Sequence, residues 1–118
     1  MKVVIEIPNY RAPSRNKTSY SKHWGAYHAQ REEAKQLVWA AVKKRQVPFD
    51  CQVDVIIEAF FSKRIKDCSN IDDKIFVDCL KDPGINIIKD DSPKYVRYVK
   101  KGSFLSNTDK MVITVKPV

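Results

Sequence analysis

Cys51-Gln52-Val53-Asp54-Val55-Ile56-Ile57-Glu58-Ala59-Phe60-Phe61 alternates along its length. Cys51, Val53, Val55, Ile57, Ala59 and Phe61 fall on one side, and Gln52, Asp54 and Glu58, with Ile56 and Phe60, on the other. Successive side chains of a strand point to opposite faces, so this period of two predicts a β-strand with one face against a core. It is the clearest strand in the chain, and the other elements are placed around it. Upstream, Val3, Ile5 and Ile7 alternate in a short strand over residues 2–7, stopped by Pro8 and Asn9. Between residues 25 and 45, Tyr27, Ala34, Leu37, Val38, Ala41 and Val42 recur at steps of three and four, which predicts an amphipathic helix closed by Pro48. Downstream, Ile71, Ile75, Phe76, Cys79 and Leu80 predict the inner face of a second helix over residues 69–81, with Pro83-Gly84 as its stop. Strands over residues 94–101 and 111–116 follow, joined by a turn region rich in Gly, Ser and Asn. The order strand, helix, strand, helix, strand, strand predicts an α+β fold: a small mixed β-sheet with two helices packed on one side, in a single domain over residues 1–118.

Composition narrows the function. Twenty-two Lys and Arg against fourteen Asp and Glu leave a net charge of +8, which favours a polyanionic partner, nucleic acid first. Three cysteines, Cys51, Cys68 and Cys79, form neither a C-x-x-C pair nor a disulfide framework, so a reducing cytoplasm is expected. His23 and His28 lie five apart, off the step that aligns two ligands on a helix. No apolar run is long enough for a membrane span, and no phosphate-binding glycine loop or serine-hydrolase elbow occurs among only three glycines.

The chemistry is expected in Lys63-Arg64-Ile65-Lys66-Asp67-Cys68-Ser69-Asn70-Ile71-Asp72-Asp73-Lys74, with Asp90-Asp91 further on. Carboxylates inside a basic surface suit phosphodiester hydrolysis. Lys and Arg attract the backbone, while hard oxygen ligands hold the divalent ion that activates water. Each feature also has a structural explanation. Asp72 and Asp73 sit where a helix start favours negative charge, and Asp90-Asp91 before Ser92-Pro93 has a turn composition. Lys74 and Asp78 are spaced as a surface pair, and Glu58 suits a solvated strand face.

The arrangement resembles the RusA-like Holliday-junction resolvases of bacteria and prophages over most of the chain. The arm reads Pro8-Asn9-Tyr10-Arg11-Ala12-Pro13-Ser14-Arg15-Asn16. There follow the basic run Lys63-Arg64-Ile65-Lys66, then Asp67-Cys68-Ser69-Asn70, Lys74, Asp78-Cys79-Leu80 and Ile88-Lys89-Asp90-Asp91, in the family's order. The resemblance implies a homodimeric, Mg²⁺-dependent endonuclease (Mn²⁺ being the alternative ion) that resolves four-way junctions in DNA recombination and repair by symmetric cuts. It implies Asp67 and Asp91 as metal-binding carboxylates and Lys74 as the residue that stabilises the phosphate in the transition state. Two departures stand out: Ser69 occupies the family's second acidic position, and one extra residue separates Asn70 from Lys74. Asp72 or Asp73 is then expected to supply the missing ligand. Arg11, Arg15, Lys17, Lys22, Lys63, Arg64 and Lys66 are the expected DNA contacts, with Tyr10, Tyr20 or Trp24 as stacking candidates. Two other readings fit the same residues: a non-catalytic nucleic-acid-binding module that has lost an acid at Ser69, and a structural basic protein bound to RNA.

Overall fold

In the computed structural model, residues 2–14, 24–42 and 47–118 are described, with the backbone alone for residues 24–27. Strand β1 is Val3–Pro8, helix α1 Trp24–Ala41, β2 Val53–Phe61, α2 Lys74–Leu80, β3 Val96–Leu105 and β4 Lys110–Pro117. A single 3-10 turn, Cys68–Asn70, precedes α2. The four strands form one mixed sheet in the order β1-β4-β2-β3. β4 runs antiparallel to both β1 and β2, while β2 and β3 are parallel.

Parallel neighbours require a crossover, and α2 supplies it, making β2-α2-β3 a β-α-β unit. The expectation of two final strands joined by a turn over residues 102–109 is therefore only half met. β3 extends through Leu105, and β4 inserts between β1 and β2 instead of lying beside β3. The extension occurs because residues 102–105 pair with Glu58–Phe61 on β2, and that ladder outweighs the turn propensity of Gly102 and Ser103.

One sheet face carries the core. Val53, Val55, Ile57, Ala59 and Phe61 of β2 are fully buried together with Ile5 of β1 and Met111, Ile113 and Val115 of β4, whereas Cys51, expected on this face, is exposed ahead of the strand. Ala34 and Val38 of α1 and Ile75, Phe76 and Leu80 of α2 complete the same cluster. Both helices thus cover one side. The opposite face is largely open, with Val4 53% and Tyr98 55% exposed.

Helix α2 is shorter than its periodicity suggests. Ile71 is buried, but through an isolated antiparallel bridge to Ser14, with the Asp72 N–H donating to the Pro13 carbonyl (3.1 Å). This pairing holds Ile71 extended and delays the helix until Lys74, with Asp73 already helical in its backbone ahead of it. No helix among the described residues is long and apolar enough to cross a membrane.

Candidate functional site

The arm that follows β1 and the loop that follows β2 are stitched together. The Arg11 guanidinium donates to the carbonyls of Lys63 (2.9 Å) and Arg64 (2.6 Å) and lies 4.9 Å over the Phe61 ring. Lys66 Nζ donates to the Ala12 carbonyl (2.7 Å), and Ser14 Oγ to Asn70 Oδ1 (3.2 Å). At the loop's base, Asp109 accepts from the Ser62 N–H (2.8 Å) and hydroxyl (3.1 Å), which holds its carboxyl below the ordinary carboxylate range. Arg11, Lys63, Arg64 and Lys66 therefore share one ledge beyond the end of β2. Arg15, Lys17 and Lys22 lie outside the described residues, as do Tyr20, His23 and the Trp24 side chain. Tyr10 is turned inward: its ring meets Phe76 edge-on at 6.2 Å, and burial raises its hydroxyl pKa.

Asp67 is exposed at the start of the 3-10 turn, where its carbonyl accepts from the Asn70 N–H (2.9 Å). It lines an open groove of about 440 Å³ together with Lys66, Cys68, Ser103 and Phe104. The loop is held to β3 there by a hydrogen bond from Ser103 Oγ to the Lys66 carbonyl.

The neighbouring acids have separate fates. Asp72 is 2% exposed, and its Oδ1 accepts from the Ile75 N–H (3.4 Å) across the first turn of α2. Asp73 instead faces β3, where Lys101 Nζ lies 3.4 Å from its Oδ1 and 3.3 Å from the Ile71 carbonyl. Two hard oxygens thus converge on one cationic atom. Lys66, the residue before Asp67, and Asp73 are held at Ser103 and Lys101, two residues apart on β3, or roughly 7 Å at the rise of a strand. Lys74, next to Asp73, is exposed.

Asp91 is elsewhere. Its Oδ1 lies 3.3 Å from Lys81 Nζ, just past the end of α2. The next residue, Ser92, accepts from the Val96 N–H at the start of β3 (3.0 Å). Val96 and Ser103 are seven residues apart, roughly 23 Å along the strand, so the backbone around Asp91 and that around Asp67 stand near opposite ends of β3. Oxygens sharing one Mg²⁺ sit about 2.1 Å from it, so these two residues do not fit a common ion in this arrangement. Asp90 accepts from the Asp91 N–H, which lowers its carboxyl pKa, while burial raises that of Asp78. Among the described residues, no three His, Cys, Asp or Glu side chains are grouped to hold a metal. Glu58 pairs with Gly102 in the row of residues on the open sheet face, and Gly102 also lines the Asp67 groove.

The fold and ledge define a small α+β protein with a basic loop around an exposed acid. No protein-family model and no curated protein matches the chain.

Proposed function

We propose that the protein is a nuclease acting on branched DNA, of the kind its motif order resembles. The observation that carries this reading is the position of Asp67, an exposed carboxylate in a groove that Lys66 also lines, on the loop where Arg11 is bonded to the Lys63 and Arg64 backbone. Such a ledge attracts the phosphate backbone without reading bases, which suits recognition by junction shape. Asp67 and Asp73 are the acids whose placement best suits a shared divalent ion, with Asp73 taking the part of the acid replaced by Ser69. A Mg²⁺ bound there would polarise the scissile phosphate and lower the pKa of a bound water. Lys74, beside Asp73 and free to reach solvent, is assigned to the phosphate in the transition state. Asp91 is reassigned from metal ligand to partner of Lys81. A symmetric homodimer would present two such sites to the paired strands of a four-way junction.

The test is incubation of a labelled four-way junction with the protein and Mg²⁺. Paired nicks that disappear in Asp67→Asn and Asp73→Asn, and persist in Asp91→Asn, support the assignment. A second reading is favoured by the Lys101 contact. With Asp73 already neutralised by an ammonium, the fold would serve as a non-catalytic junction binder, and tight binding without nicks at any Mg²⁺ concentration would identify it.

A further inference from the structure

The sheet face that the helices leave open is not uniformly polar. Register places Tyr98, Lys100, Gly102 and Phe104 of β3 on it, beside Asp54, Ile56, Glu58 and Phe60 of β2. Tyr98 is 55% and Phe104 42% exposed. The Arg97 guanidinium lies 5.0 Å and Lys100 Nζ 5.7 Å from the Tyr98 ring centre. Phe104 stacks on Phe60 at 5.2 Å with 23° between the rings, and Lys110 Nζ is 5.0 Å over Phe60. Gly102 makes room for this: a Cβ there would meet the Phe104 ring at 2.8 Å, so the missing side chain lets the ring lie down along the strand. Phe104 also borders the groove that holds Asp67.

We propose that Tyr98 and Phe104 form a stacking platform for unpaired nucleotides, continuous with the Asp67 groove. The proposal deepens the nuclease reading and rests on it for the identity of the ligand. Base stacking on an aromatic ring requires a base freed from its pair, so the occupant is a single-stranded or unpaired segment of nucleic acid. Charge points the same way. On this face Asp54 is neutralised by Arg97 (2.8 Å) and Glu6 by Lys110 (3.4 Å). Lys100, Lys116 and Glu58 make no ion pair among the described residues, so the two lysines outnumber the one carboxylate and leave a positive excess beside exposed rings. Tyr98 and Phe104 are six residues apart, roughly 20 Å along β3, so a strand following this edge can touch both rings.

The test is fluorescence anisotropy with oligo-dT and with a fully paired duplex, measured without divalent ions so that cutting plays no part. Phe104→Ala and Tyr98→Ala should each weaken oligo-dT binding by at least about fivefold, the lower end of a stacked base's contribution, and leave duplex binding unchanged. Phe104→Trp, which keeps a ring, should retain oligo-dT binding. Equal losses on both ligands, or no loss on oligo-dT, would overturn the platform. Sedimentation of the same variants gives the other adverse outcome: a dimer reduced to monomer by Phe104→Ala would make this face a subunit contact. Loss of cutting in Asp67→Asn is scored separately, so the platform and the nuclease reading fail independently.

Discussion

Asp72 and Asp73 are neighbours in sequence with opposite environments, one buried and capping α2, the other half-exposed against Lys101. Asp72→Ala should cost about 1–2 kcal/mol in denaturant unfolding, the loss of a helix cap, and Asp72→Asn should recover most of it. Asp73→Asn should cost no more than about 1 kcal/mol, because the amide oxygen still accepts from Lys101 in this part-buried pair, while removing cutting. Asp54 supplies a pH prediction. Its hydrogen bonds from Arg97 lower its pKa in the fold, so its contribution is present above the unfolded value near 3.9 and is lost as pH falls through the lower folded value. Urea midpoints measured from pH 5 down to pH 2 should therefore fall less steeply in Asp54→Asn than in the parent. Sequence spacing exposed the capping and ligand possibilities of Asp72 and Asp73 together. Deciding between them required the Ser14 bridge, a contact across 57 residues that no local pattern encodes.

The loop after β2 shows how elements are locked to each other. Arg64 has a φ of 51°, a left-handed conformation that costs a non-glycine residue of order 1 kcal/mol, and the Arg11 guanidinium holds the carbonyls on either side of the Arg64 backbone turn. Arg64→Gly should raise the unfolding free energy by up to about 1 kcal/mol yet weaken junction binding, since it relieves strain and deletes a cation. The same variant gaining affinity would remove Arg64 from the DNA surface. At this scale the strands and the apolar face of α1 were legible, because a period of two or of 3.6 is imposed by the core itself. The helix starting at Lys74 in place of Ser69, and the insertion of β4 between β1 and β2, follow from pairings with distant strands. Tyr98 and Phe104 carried a readable signal, aromatics interleaved with Arg97, Lys100 and Lys101, but the face they occupy became visible only once both helices were placed on the other side.

At the scale of the molecule, a charge of +8 and a basic ledge at one end of the sheet predict salt-sensitive binding. The plot of log affinity against log salt should be linear, and the Lys63→Ala, Lys66→Ala double variant should lower its slope by about two if each lysine neutralises one phosphate. The order of the motifs was readable from the chain, whereas the separation of Asp91 from Asp67 was not: order in sequence does not specify which end of a parallel strand a loop occupies. The central claim is that Asp67 anchors metal-dependent cutting of branched DNA from within that ledge. Its most direct test is isothermal titration of Mg²⁺ or Mn²⁺ into a complex of the protein with a non-cleavable four-way junction, comparing the parent with Asp67→Asn. The account predicts ion binding in the parent that Asp67→Asn removes while junction affinity is retained; identical ion binding in both would contradict it.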